Sequence, residues 1–153
     1  MQKIFEDFLK NLNDLHDDVR SAIDGLPRSA LDWTPYPDFN SISVLAVHIV
    51  GAERYWISDV VAGIDSNRDR DSEFQVHDLD PDDLADRLSE SWAFLQSVLT
   101  GLTQEDLGAM RISPRNGKEI TVSWVLGHVL KHTALHGGHI QITRQLWDNQ
   151  SKG

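Results

Sequence analysis

The chain has 153 residues, with 14 basic and 24 acidic side chains, a formal net charge of −10 and no cysteine. This length suits one domain spanning residues 1–153. The charge argues against nucleic acid, whose binding rests on Lys and Arg contacts to phosphate. The absence of cysteine removes disulfides, thiolate metal ligands and any protein-borne thiol nucleophile.

No run of about 18 apolar residues marks a membrane span. The first residues, MQKIFEDFLKNLNDLHDD, alternate apolar and acidic side chains, unlike a signal peptide, so a cytoplasmic location is expected. Residues 3–24 read as a first helix, with Ile4, Phe8, Leu12, Leu15, Val19 and Ile23 on one face. Gly25 and Pro27 end it. His16 reads as a surface or boundary residue. Two prolines and Asn40 make residues 28–40 a connector, with Trp33 covering one end of the core.

Residues 41–63 form the second predicted helix, with Asn40 or Ser41 as cap and Gly63 as stop. Leu45, His48, Ile49, Ala52 and Trp56 share a face, so His48 falls in an apolar stripe. Residues 64–80 are strongly charged and read as a solvated connector with His77 exposed. Asp80-Pro81-Asp82-Asp83 is a strong helix start. The third helix, residues 81–100, buries Leu84, Leu88, Ser91, Trp92, Leu95 and Leu99, and without histidine it supplies packing rather than chemistry. Thr103 to Met110 suggests a short capped helix. Asn116-Gly117 between two β-compatible runs signals a small hairpin. Thr121 or Ser123 then caps a fourth helix running to about Asp148. Four helices of about 20 residues predict an all-α four-helix bundle. Connections this long predict at least one crossover.

The fourth helix carries His128, His132, His136 and His139 within an arc of about 80°. His132 and His136 stand at i,i+4, about 6 Å apart, a spacing that lets two imidazoles converge on one ion. His128 and His136 are roughly 12 Å apart, so all four cannot share one metal. His48, on the inward face of another helix, offers a third ligand. Three protein ligands leave a position open, as in catalytic rather than structural zinc sites. The sequence lacks the HExxH peptidase motif, the Glu-x-x-His motifs of di-iron bundles and the serine hydrolase elbow.

The second-helix stretch VLAVHIVGAERYWI, the connector residues Leu31, Trp33 and Pro35, and the final HVLKHTALHGGHIQITR together resemble the DinB/YfiT-like superfamily of metal-binding four-helix bundles. The resemblance covers nearly the whole chain. It implies that His48, His132 and His136 bind a divalent metal, zinc or nickel, and that His128 and His139 lie beside the ligands or in the substrate pocket. It also implies a metal-dependent enzyme of thiol S-transferase type, acting on a small molecule with an external low-molecular-weight thiol. A metal-dependent hydrolase and a non-enzymatic metal-binding or stress-related protein are the alternatives. A homodimer is a further expectation, and no nucleic acid or membrane partner is expected.

Overall fold

A computed structural model describes residues 1–150. Four long helices dominate it: α1 (Lys3–Ile23), α3 (Ile42–Arg54), α5 (Pro81–Thr100) and α6 (Val122–Gln150). Helix α3 runs without a break into a π-helical stretch, Tyr55–Ala62. The single-turn helices α2 (Arg28–Leu31) and α4 (Arg70–Glu73) sit in the connections. A 3₁₀ turn, Gln104–Gly108, leads into an antiparallel hairpin of β1 (Met110–Ile112) and β2 (Glu119–Thr121). None of the described helices is long and apolar enough to cross a membrane.

Local chemistry fixes the boundaries. The Ser41 hydroxyl accepts from the Val44 amide at the start of α3. Asp80 and Asp83 each accept from the other's amide at the start of α5, where Pro81 opens the first turn. The Thr121 hydroxyl accepts from the Trp124 amide as the hairpin turns into α6. Gly117 takes φ of +67° in the hairpin loop, where a side chain would be strained. Pro114 lies in that loop rather than in a strand, so it interrupts no pairing.

The bundle is square in section. Helices α6 and α5 each pack against both α1 and α3, so the sequence neighbours α1 and α3 face each other across a diagonal. The core divides into two hydrophobic clusters. One holds Phe8 and Leu12 of α1, Ile57 and Val60 of the π-helical stretch, Leu95 and Leu99 of α5, and Val125 and Val129 of α6. The other holds Val19 and Ile23 of α1, Leu45 and Ile49 of α3, Leu84 and Leu88 of α5, and Ile140 of α6. Helices α1 and α6 therefore start in the first cluster, whereas α3 and α5 start in the second. The directions run up, down, down, up. The parallel neighbours α3 and α5 require the expected crossover, which residues 63–80 supply.

Between the clusters each long helix contributes one buried polar residue: His16, Glu53, Ser91 and Thr133. Glu53 Oε1 accepts from His16 Nε2–H at 2.9 Å and from the Thr133 hydroxyl at 2.8 Å. Glu53 Oε2 accepts from the Ser91 hydroxyl at 2.6 Å. One carboxyl group thus bonds to all three other helices, including its diagonal partner.

This corrects the reading of α1. His16 is fully buried, together with Phe5 and Leu9, and Ile4 is 46% exposed. Two overlapping faces of α1 have helical spacing, and the buried one includes a polar residue because Glu53 offers it a partner. Removing one member of such a group strands the others without water, at a cost of about 3–5 kcal/mol. Urea denaturation is expected to show a loss of that order for Glu53→Ala. Replacing the four together, as His16→Leu, Glu53→Leu, Ser91→Ala and Thr133→Val, is expected to recover most of it.

Candidate metal centre

Helices α3 and α6 are antiparallel neighbours, and this brings His48 against His132 and His136. Ligand-capable nitrogens of the three lie within 4.8 Å of one another. His48 Nε2 and His132 Nε2 are 3.1 Å apart. Two imidazole nitrogens sharing one tetrahedral ion at ordinary bond lengths stand ~3.4 Å apart, so the observed separation is close to that of a ligand pair. The Nδ1 atoms of His132 and His136 are buried without a hydrogen-bond partner among the described residues. By donor type and spacing, the three residues fit a divalent metal.

The opposite side of His48 is held in place. Its Nδ1–H donates to Glu73 Oε2 at 2.8 Å, which leaves Nε2 facing His132. Arg68 donates to both oxygens of Glu73, through Nε to Oε1 and through a terminal nitrogen to Oε2 at 2.9 Å. Burial by itself would raise the Glu73 pKa, but the bonds from His48 and Arg68 outweigh it and the carboxyl is held below its usual range. Gly51, one turn beyond His48 on α3, makes room for this group. A Cβ there would collide with Glu73 Oε1 and lie 2.6 Å from Glu73 Cδ.

Residues 64–80 are therefore not a plain solvated connector. His77 is exposed as expected, but Glu73 is buried and the Arg68 side chain is only 12% exposed. A charged run gave no sign of this. Two signals in the sequence could have: Gly51 within an otherwise well-filled helix, and a carboxylate and an arginine in the loop that follows a candidate ligand.

The histidine face of α6 is not its core face. Val122, Val125, Leu126, Val129, Thr133, Gly137, Ile140 and Thr143 fill the core face. His128, His132 and His136 are half-buried on the flank beside α3, and His139 is exposed. With the core-face residues turned inward, the imidazoles face the groove between α6 and α3.

The rings form a continuous row along that groove. His132 and His136 centroids are 4.4 Å apart, and His136 to His139 is 5.6 Å. At the other end His128 lies 5.9 Å from His132 and stacks on Trp124 at 4.9 Å. Trp56, from the π-helical stretch, packs edge-on against both Trp124 and His128. His128 and His139 thus adjoin the three-histidine cluster, one on each side.

Burial, and then repulsion from His136, His48, His128 and Arg68, pushes the His132 pKa down to about 3. Burial, followed by His48 and His139, brings His136 to about 4. Burial also lowers His128. The two adjacent imidazoles on α6 are accordingly neutral at pH 7, with lone pairs available for coordination without a proton to displace.

A family model described as mycothiol-S-transferase, a DinB-like family, matches residues 7–149. The chain belongs to this family. No curated protein matches the sequence. Solved structures share the fold at low identity. A conserved protein from Enterococcus faecalis has a TM-score of 0.79 and 18% identity, covering 95% of this chain and 98% of its own. A DinB-like protein from Bacillus cereus ATCC 10987 has a TM-score of 0.76 and 19% identity, over 94% and 92%. YfiT from Bacillus subtilis, described as a probable metal-dependent hydrolase with an unusual four-helix bundle topology, has a TM-score of 0.73 and 17% identity, over 97% and 90%.

The depressed histidines make metal-free stability depend on pH. Unfolded, these groups take up a proton near pH 6.5, whereas in the folded chain they refuse it until about pH 4 and pH 3. Their contribution is fully present above pH 6.5 and is lost as the pH falls through that window. With a chelator present, the urea midpoint is expected to be lower at pH 5 than at pH 7.5. The difference should shrink in a His132→Asn, His136→Asn double variant.

Proposed function

We propose that this DinB-like protein holds one divalent metal ion through His48, His132 and His136, with zinc or nickel as the ion. We further propose that it catalyses transfer of an external low-molecular-weight thiol onto a small electrophilic molecule. The observation that carries this reading is the convergence of three imidazoles from two helices, with one of them oriented by a buried carboxylate. The family match and the absence of cysteine from the sequence support a thiol supplied from outside.

The protein's own residues have separate tasks. Glu73 fixes the tautomer and ring orientation of His48, and Arg68 fixes Glu73. His132 and His136 stay neutral because burial, and then repulsion from neighbouring imidazoles, disfavours the protonated ring. His128 and His139 wall the groove on either side. A divalent ion bound there would lower the pKa of a thiol or water ligand and so supply a nucleophile at neutral pH.

Elemental analysis of protein purified without chelators is expected to find about one equivalent of metal in the wild type and none in His48→Ala. Metal-loaded wild type is expected to accelerate conjugation of a thiol to an aromatic halide, and His136→Ala to leave only the uncatalysed rate. Equal rates for the two proteins would refute the enzyme. Chelator-sensitive turnover of an ester without added thiol would instead favour a hydrolase.

Glu73→Gln is expected to weaken metal affinity by about 10–100-fold without abolishing binding. Gly51→Ala should do the same by a different route, because its methyl group displaces the Glu73 carboxylate. Competition titration against a chromophoric chelator measures both.

A further inference from the structure

The groove between α3 and α6 continues past His136. There it opens into a concavity of about 320 Å³ whose walls include Leu45 and His139. Leu45 is one turn before His48 on α3, and His139 is one turn after His136 on α6. The antiparallel packing of the helices therefore makes this space a direct extension of the histidine cluster. Its volume lies at the small end of ligand pockets.

The lining is mixed at depth and apolar at its lips. Leu45 and Thr143 are its buried residues, and the Thr143 hydroxyl donates to the His139 carbonyl. Phe39, Ile142 and Leu146 line the concavity but remain 44–56% exposed, an arrangement that leaves apolar surface facing water beside the candidate centre. Phe39 is braced by the Tyr36 ring at 5.3 Å. The charged residue in the lining is Asp38, and the chain as a whole carries −10. Both oppose an anion. The far end of the ring row differs, because Trp56, Trp124 and His128 pack against one another there.

We propose that this concavity is the subsite for the electrophile, and that it takes a neutral or cationic molecule with a compact apolar body. The inference rests on the reading of the three histidines as a metal centre for thiol transfer. The reactive carbon then lies at the His139 end, toward His136, and the apolar body contacts Leu45, Phe39, Ile142 and Leu146. In the transfer a carbon–sulfur bond forms and the bond from that carbon to its leaving group breaks. The leaving group departs with the electron pair, and the thiol proton passes to water.

The test uses the full chain and a neutral probe, N-phenyl-1-naphthylamine. An Ile142→Asp, Leu146→Asp double variant alters two exposed positions, and its metal content and melting temperature are measured alongside. The expected result is at least about tenfold weaker probe binding in the variant at unchanged metal content. The anionic analogue 8-anilinonaphthalene-1-sulfonate should bind the wild type about tenfold more weakly than the neutral probe. In wild type loaded with cobalt(II), the naphthyl proton resonances should broaden relative to zinc(II)-loaded protein.

Equal probe binding by wild type and variant overturns the subsite. Probe binding to the groove without cobalt broadening, in protein shown to contain cobalt, overturns its link to the histidines and leaves the metal centre standing. Failure to take up cobalt overturns the metal centre and the subsite together, whatever the probe does. A wild-type dimer that the double variant converts to monomer in sedimentation would assign the groove to a second copy of the chain instead.

Discussion

A single buried carboxyl group sets the geometry on which the site depends. Apolar side chains pack two helices together at many nearly equivalent offsets, whereas a hydrogen bond is satisfied at one. Glu53 satisfies three at once, each to a different helix. Sliding α6 by one turn would remove Thr133 from Glu53, and with it His132 from His48. Tying Glu53 to Thr133 therefore does for the register of the bundle what Glu73 does for the orientation of one ring.

The two carboxylates divide the work by depth. Glu53 lies at the centre, enclosed between two hydrophobic clusters, and touches no candidate ligand. Glu73 comes from a connection, is bound by an arginine, and acts on the face of α3 that the core does not use. The histidines occupy the flank between these regions. There α6 can fill the core with Val, Thr, Gly and Ile while presenting imidazoles to the groove. A metal centre placed in the middle of the core would have had to replace Glu53 and its partners.

Much of this was legible in the sequence. Helical spacing, the Asp80 capping box and Asn116-Gly117 located the elements, because these signals act within a few residues of one another. Helical spacing put the α6 imidazoles on one face, and the resemblance to DinB-like bundles singled out His132 and His136 with His48 from another helix. His16 and Glu73 were not legible. Each looks like an ordinary polar residue in a polar neighbourhood, and each is buried only because a partner distant in sequence satisfies it. The arginine that makes Glu73 tolerable inside the protein reads, by itself, as one more charge in a charged loop. The flank position of the histidines was hidden too, since the face between His128 and His139 and the face between Thr133 and Ile140 overlap on a helical projection. The bond from Thr133 to Glu53 is what turns one of them to the core.

The 3.1 Å contact between His48 and His132 joins residues 84 positions apart in the chain. An ion held there would act as a cross-link. Unlike a disulfide, such a link is lost on unfolding, so it would stabilise the fold by mass action, by about 1.4 kcal/mol for each tenfold rise of free metal above its dissociation constant. The same contact that brings the imidazoles together would then make the folded fraction of the protein a function of how much free metal surrounds it.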